Sequence, residues 1–589
     1  MHRTFNAIVA FALTPGQFGG SKCDSYKKKP EQITPENHKE PKGHAVDPEA
    51  LDDIRYLLGS ESRQRDLLIE HLHKIQDHYQ HISSKHLVAL AHEMNLAPGE
   101  VFKVVSFYHH FDFVKEGQKP PPSLTVNVCD SLSCEMAGSN DLSHALESGL
   151  GDKVRVQKVP CVGRCQHAPV AVVGQNPIDF ATAETVIAAV ENNDIKAKVK
   201  DYISFEQYKA NGGYQTLKQV LEGKISAESI IQKMENSYLR GLGGAGFPVG
   251  RKWRIVKGFD GPRLMAVNID EGEPGTFKDR HYLEKDPHRF LEGMVIAALT
   301  VGCDEIYVYL RDEYAGCRAI LTQEIANLQH TPSSASYKMP PIHLRRGAGA
   351  YICGEESAMV ESIEGKRGIP RLRPPFLAQV GLFGRPTLEH NMETCYWVRD
   401  IIEKGPDWFA SHGRNKRKGL RSFSISGRVN NPGVHLAPAG ITIRELIDEY
   451  CGGMQEGHEF YGYFPGGASG GILPATMADI PMDFDTLNKY GCYIGSAAVV
   501  VFSNQDSARA LALNAMKFFE KESCGQCTSC RAGTAKAVTL MTEKCWDQSI
   551  LKELSSDMIE FCRCGLGRAA PNPIRCVMKY FPDELRNTV

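Results

Sequence analysis

At 589 residues the chain is too long for one hydrophobic core, and at roughly 100 to 200 residues per domain it predicts three to five domains. A formal net charge of −2 and a charged fraction of 23% give no basic excess that would point to nucleic acid or to an anionic membrane surface. No apolar run approaches the about 18 residues that a membrane helix needs, so neither nucleic acid nor a bilayer is an expected partner.

In chain order, the opening stretch FNAIVAFALTPG has an apolar core of signal-peptide length, but only Arg3 precedes it and no clear small-residue cleavage site follows. With cysteines that are not arranged as a disulfide framework, the expected location is cytoplasmic. Residues 1–45, rich in Lys, Pro, Gly and Glu (KKKPEQITPENHKEPKG), cannot bury enough surface to fold alone and read as a disordered tail. Over 46–118 apolar residues recur at helical intervals (LLIEHLHKIQDHY, HLVALAHEM), with Ser83 and Ser84 placed to cap the second stretch, which predicts a small helical bundle.

Pro120, Pro121 and Pro122 then break the chain. SLTVNV and KVRVQKVP read as strands with the helical NDLSHALESGL between them, a compact α/β module over 119–195. A polar stretch makes 196–232 a linker. From 233 to 415 strands such as RLMAVNI and EIYVYL alternate with helices such as RFLEGMVIAALTVG, the pattern of a parallel α/β sheet. A β-rich unit follows over 416–505 (RSFSISGRV, then the helical TIRELIDEYC), and 506–589 reads as helical. The fold class expected is α/β multidomain.

Within the third of these units, GLGGAGFPVGRKW matches the dinucleotide fingerprint G-x-G-x-x-G through Gly241, Gly243 and Gly246. That fingerprint works only between a strand and a helix, because its glycines turn the chain there and let the backbone approach a pyrophosphate. SAESIIQKMENSYLR, which precedes it, has helical spacing at Ile230, Ile231, Met234, Tyr238 and Leu239, so the loop is expected to cradle a phosphate in a different nucleotide fold. NIDEGEPGTFKDR and GAGAYICGEES add Asn268, Asp270, Glu271, Glu273, Glu355 and Glu356. Carboxylates repel phosphate but accept hydrogen bonds from sugar and ribityl hydroxyls, while Lys252 and the loop amides would hold the phosphate end.

Two groups stand out among the 18 cysteines. Cys129 and Cys134 (CDSLSC) and Cys161 and Cys165 (CVGRC) each follow a predicted strand, so four thiolates can converge at one end of a sheet. Cys524, Cys527 and Cys530 have the C-x2-C-x2-C spacing of a [4Fe-4S] site, for which Cys564 in CRCGLG is the preferred fourth ligand and Cys562 the runner-up. Structural zinc is the alternative for both groups, although zinc favours paired C-x2-C knuckles. A nicotinamide exchanges a hydride whereas an iron-sulfur cluster takes single electrons, and flavin is the cofactor able to do both, so a chain holding a nucleotide site and clusters is expected to bind FMN.

RGLGGAGFPVGRKW, DEGEPGTFKDR, RGAGAYICGEES, RLRPPF and ESCGQCTSCRAG together make the chain, from about Asp47 to its end, resemble a fusion of the two NADH-oxidising subunits of respiratory complex I. The resemblance implies a helical bundle with a thioredoxin-like [2Fe-2S] module, a Rossmann-like FMN and NAD domain, a β-grasp domain and a C-terminal helical [4Fe-4S] domain. RQRDLLIEHLHKIQDHY, CDSLSC and PGGASGGILPA are most similar to the β subunit of metal-dependent, NAD-linked formate dehydrogenases; the diaphorase of NAD-reducing hydrogenases is the nearest competitor.

Carried over by position, the resemblance implies FMN contacts at Gly241, Gly243, Lys252, Asn268, Asp270, Glu273, Gly354, Glu355, Asn391 and Thr394. For NAD it implies Gly244, Phe247, Glu273, Glu356, Arg373 and Phe376. His390 stands where relatives often have the first Asn of a pair, and Ile255 replaces an aromatic near the adenine. The implied activity is a diaphorase that passes electrons from formate oxidation in a partner subunit carrying a Mo- or W-pterin and further Fe-S clusters to NAD+, with no side chain acting as general acid or base. The alternative of another class is a non-catalytic, zinc-stapled scaffold.

Overall fold

The computed structural model describes residues 45–330 and 339–586. The segment read as a disordered tail lies, except for Ala45, outside the described residues. Helices Pro48–Leu58, Leu68–Tyr79, Ser84–Glu93 and Pro98–Val105 form the predicted bundle. Asp47 caps the first by accepting from the Ala50 amide at 2.8 Å, and Ser83 caps the third by accepting from His86 at 3.2 Å, each satisfying an amide that the helix cannot.

In the second module the strand order is Arg155–Val159, Thr125–Cys129, Ala171–Val173, Asn176–Ile178, the first pair parallel and the others antiparallel. Val126 and Val128 of the second strand pack with Leu142 and Leu146 of helix Ser139–Leu150 and Val186 of helix Ala183–Glu191. Cys129 therefore ends a strand whose alternate residues are anchored in a core.

The central sheet runs Thr387–Asn391, Arg263–Ile269, Cys303–Leu310, Ile342–Arg346, all parallel among the described residues. In register Asn391 lies beside Asn268, so both asparagines sit at the carboxyl ends of neighbouring strands, where open parallel sheets bind ligands. Helix Pro287–Val301 is apolar nearly all round and almost wholly buried.

Residues 196–232, read as a linker, are a correction: helices Phe205–Ala210, Gln215–Leu221 and Ala227–Asn236 wrap that buried helix. Its one deep acid, Glu292, takes its hydrogen bonds from this segment, through the Tyr208 hydroxyl at 2.7 Å, the Tyr214 amide at 3.0 Å and the Leu217 amide at 3.1 Å, and pairs with Arg399 at 3.6 Å. A buried carboxylate without such partners would be costly, so the stretch is part of the core.

Strands Gly433–Pro438, Leu420–Gly427, Ala498–Ser503, Phe460–Phe464 and Leu473–Pro474, in that order, make the β-grasp sheet, and helix Ile443–Tyr450 starts with a reciprocal Thr442–Glu445 capping box. Helices Ala508–Lys521, Thr528–Thr542, Gln548–Phe561, Gly565–Ala569 and Asn572–Tyr580 complete the C-terminal unit. Among the described residues no helix is long and apolar enough to cross a membrane.

Candidate functional site

The glycine loop stands between two helices, as its sequence context requires: Ala227–Asn236 precedes it and Val249–Lys257 follows. The Gly241 amide donates to the Phe247 carbonyl at 2.9 Å and closes the loop on itself. Thr394, on the short helix after the edge strand, accepts from the Leu242 amide at 2.9 Å and ties the loop to the sheet. Gly246 has φ +64° and a Cβ there would stand 2.6 Å from the Phe484 ring, so a β-grasp residue forms the floor beneath the third glycine. Arg240 lies over the same ring at 4.8 Å.

Facing the loop, Asn268 accepts from the Asp270 amide at 3.0 Å and donates to the Gly354 carbonyl at 2.9 Å, joining two of the expected flavin-binding segments. Asp270 is the most informative group. Its Oδ2 is buried with no hydrogen-bond partner among the described residues, and burial pushes its carboxyl well above the usual range. A buried acceptor without a donor is what a ribityl hydroxyl would satisfy, so the residues present fit FMN.

Asn391 is held rigidly. Its amide nitrogen donates to Asp279 Oδ2 at 2.7 Å, and Lys278, 1% exposed and paired with Asp279 and Glu393, donates to its oxygen at 3.2 Å. His390 packs beneath Trp253, whose indole N–H donates to His390 Nε2 at 2.7 Å; burial, with Lys252 nearby, holds its pKa well below the ordinary value, so the ring is a neutral acceptor.

Some expected contacts prove to have structural duties. Glu355 caps helix Glu356–Ile363, accepting from the Ser357 amide at 3.0 Å and the Ala358 amide at 2.9 Å, and it also takes Arg373. Lys252 donates to the Glu389 carbonyl at 2.9 Å and to its carboxylate at 3.1 Å. Phe247 and Phe376 stay 38% and 54% exposed, available to stack on a base. Tyr351, Glu389, Lys278 and Asp279 carry no mark of a role in the sequence. Tyr351 lies within GAGAYICGEES and the Lys278–Asp279 pair within DEGEPGTFKDR, but only their contacts distinguish them.

Glu273 accepts from the Ser469 amide at 2.7 Å and from the Tyr351 hydroxyl, and burial raises its pKa from 4.5 to about 7. An acid whose folded pKa is raised binds an extra proton in the fold, so its contribution to stability declines as pH rises from about 4.5 to about 7. A nucleotide carries negative phosphates, and the same proton decides whether Glu273 adds a like charge to the cleft. NADH affinity is expected to fall as pH rises through about 7, and Glu273→Gln should flatten that step in a flavin-quenching titration; a step that persists in the variant refutes the assignment.

Glu356 pairs with Arg373 at 2.8 Å. A carboxylate there should repel the 2′-phosphate of NADP, and Glu356→Ala removes that charge and leaves Arg373 with one carboxylate partner, Glu355, instead of two. A charged hydrogen bond is worth about 1.5–3 kcal/mol, so the NAD-to-NADP preference should drop roughly 10- to 100-fold. Unchanged ratios of kcat/KM for the two cofactors would refute this.

The structure brings the first four cysteines together. Cys129, Cys134, Cys161 and Cys165 are free and buried, with Cys161 and Cys165 sulfurs 3.2 Å apart. Hydrogen bonds from the Cys129 and Cys165 thiols hold Cys161 well below the usual thiol range and make it the thiolate of the group, while those two thiols are raised in turn. Cys524, Cys527 and Cys530 sit on the turn entering helix Thr528–Thr542, and Cys562 and Cys564 approach from the segment after helix Gln548–Phe561. The Arg563 amide donates to Cys527 Sγ at 3.4 Å. A cavity of about 870 Å³ opens beside this group, lined by Leu372, Cys527, Phe561 and Cys562, with Leu372 and Phe561 65% and 63% exposed.

Comparison with known proteins agrees with each module. Residues 234–400 match the Nuo51 FMN-binding domain, 54–194 the thioredoxin-like [2Fe-2S] ferredoxin, 422–473 the SLBB domain and 510–588 the NADH-ubiquinone oxidoreductase-F iron-sulfur binding region. These assignments give FMN, [2Fe-2S] and [4Fe-4S], and set the zinc scaffold aside. A NADH-quinone oxidoreductase subunit of Rhizobium meliloti is 39% identical over 64% of this chain and 92% of its own. Mitochondrial NADH dehydrogenase [ubiquinone] flavoprotein 1 of Dictyostelium discoideum is 39% identical over 64% and 82%. A chain from the crystal structure of NAD+-reducing [NiFe]-hydrogenase in the H2-reduced state is 28% identical, with a TM-score of 0.79 over 90% of this chain and 94% of that one.

Proposed function

We propose, for a chain that belongs to the family of flavoprotein subunits of NADH-quinone oxidoreductase, the role of diaphorase in a cytoplasmic, NAD-linked formate dehydrogenase. The observation that carries the diaphorase reading is a single compact unit joining a thioredoxin-like cysteine quartet, a nucleotide cleft with an unpartnered buried acid, and a second cysteine group. Bound FMN supplies the exchange between hydride and single electrons, and the clusters supply single-electron transfer to and from a partner bearing a Mo- or W-pterin.

The chain's own residues bind and orient. The Gly241–Gly246 loop amides hold the phosphate end, with Lys252 bracing the neighbouring strand end through Glu389; Asn268 and Asp270 meet the ribityl chain beside the fixed Asn391, and Phe247, Phe376 and Glu356 receive the adenosine. No side chain need move a proton at the flavin, since direct hydride transfer needs only two rings held at near-attack distance. Cys129, Cys134, Cys161 and Cys165 are the proposed [2Fe-2S] ligands, and Cys524, Cys527, Cys530 and Cys564 those of the [4Fe-4S] cluster. The groove by the exposed Leu372 and Phe561, with Lys536, Asp557, Glu560 and Arg563 also on its walls, adjoins the second group and suits the partner's contact.

CDSLSC and PGGASGGILPA support formate as the ultimate donor; the hydrogenase diaphorase is the second reading, favoured by the structural likeness to that enzyme. Affinity purification of the full chain from its source decides between them. A pterin-bearing protein in the eluate with formate-driven NAD+ reduction is expected, whereas hydrogen-driven reduction would overturn the formate reading. An isolated chain, loaded with iron and sulfide, that neither retains FMN nor reduces dyes from NADH would overturn both.

A further inference from the structure

The Cys161–Cys165 loop does not stand free of the flavin module. Gly163, at φ +71°, lies so close to Tyr314 that a Cβ would come within 2.2 Å of its hydroxyl oxygen. Arg280 Nε donates to the Gly163 carbonyl at 2.9 Å, and Arg311 Nη2 donates to the carbonyl of Cys161 itself at 2.7 Å. The other arm of Arg311 donates to the Glu271 carbonyl at 2.5 Å, within the DEGEPG segment beside the nucleotide cleft, and Tyr314 donates to the Glu271 carboxylate at 2.8 Å. Both guanidiniums are buried, at 3% and 4% exposure.

One planar cation thus grips a ligand residue of the first cysteine quartet with one nitrogen and the flavin-side loop with the other. Each arginine also binds a carboxylate at 2.7 Å, Arg311 with Glu313 and Arg280 with Glu284, so the pairs are neutral at long range and act on the loop through their direct carbonyl contacts. Reduction adds one electron, and hence one negative charge, to a [2Fe-2S] centre. In a water-poor site a cation hydrogen-bonded to a ligand residue favours that reduced form.

We infer that Arg311, seconded by Arg280, is a positioning residue that raises the reduction potential of the [2Fe-2S] centre and fixes its ligand loop against the flavin side. This rests on the reading of Cys129, Cys134, Cys161 and Cys165 as the ligands. The electron comes from NADH by way of the flavin, so no further reductant is needed.

The test is an EPR-monitored redox titration of the full chain with both clusters assembled. Arg311→Met should lower the [2Fe-2S] potential so that the reduced-to-oxidised ratio at a fixed potential falls at least tenfold, equivalent to about 59 mV for one electron, while the [4Fe-4S] titration stays in place. Arg311→Lys keeps the charge without the two-armed fork and should recover part of the shift. An Arg311→Met protein with its [2Fe-2S] signal intact and its potential unmoved overturns the inference. If that variant assembles no cluster, Arg280→Met, which leaves the Cys161 carbonyl contact alone, decides: a smaller downward shift supports the inference and none overturns it. Absence of a [2Fe-2S] signal from the wild-type chain would instead refute the ligand reading beneath it.

Discussion

Cys564→Ser is expected to abolish the [4Fe-4S] signal, whereas Cys562→Ser should retain it. Both thiols come near the C-x2-C-x2-C turn, and what separates them is the source of their hydrogen bonds. Cys564 accepts from the Gly567 and Leu566 amides, Cys524 from Gln526, and Cys527 from Arg563, all backbone donors of the kind that stabilise cluster sulfurs. Cys562 instead contacts the Cys530 thiol and the Ser529 hydroxyl, both side-chain partners, and it is only 1% exposed. It reads as a packed neighbour that polarises a ligand. Losing an outer-shell partner of a metal site already costs roughly 10- to 100-fold in affinity or activity, so losing a ligand should cost at least that in partner-driven NAD+ reduction. NADH-driven dye reduction, which needs only the flavin, should persist in Cys564→Ser. The reverse pattern, with the signal kept in Cys564→Ser and lost in Cys562→Ser, would move the fourth ligand by two residues.

Gly243→Val should empty the flavin site without unfolding the protein. A Cβ at Gly243 would stand 2.9 Å from the Cβ of Asn391, closer than real contacts allow. Asn391 cannot yield, because the buried Lys278 and Asp279 grip both ends of its amide. The glycine loop must shift instead, away from the place where it would meet a phosphate. Overpacking of this kind costs about 1–3 kcal/mol, and at 1.4 kcal/mol per decade FMN affinity should fall roughly 10- to 100-fold. Gly241→Ala is the milder substitution in the same loop and should release less FMN, since its added Cβ meets no protein atom nearer than the Phe247 carbonyl at 3.7 Å. The readout is fluorescence of released FMN alongside Tm; a Gly243→Val protein that keeps its flavin would disprove the cradle.

Local pattern carried much of this into the sequence. Helical spacing at Ile230, Ile231 and Met234 ruled out the ordinary dinucleotide fold, and the same helix stands there in the structure. Strand signals at RLMAVNI and EIYVYL, and the cap Ser83, were equally local. Failures came where the decisive partner lies far along the chain. Nothing polar in residues 196–232 announces that Tyr208, Tyr214 and Leu217 exist to satisfy Glu292, about 80 residues away. That Glu355 also caps helix Glu356–Ile363 was likewise not legible from an acid set beside glycines. Tyr351 sat among the residues of GAGAYICGEES, but only its seat against Glu273 reveals it. Burial, not residue type, sets the raised values at Asp270 and Glu273, and burial is a property of the assembled chain.

The floor under Gly246 has an implication for biogenesis. Phe484 leaves the ribosome more than two hundred residues after the glycine loop, in a turn of the β-grasp unit whose sheet closes only with strand Ala498–Ser503. Until that strand is made and docked, the phosphate cradle lacks one wall. Prosthetic-group insertion therefore belongs to the end of synthesis, after the β-grasp lobe has folded back onto a loop translated long before it.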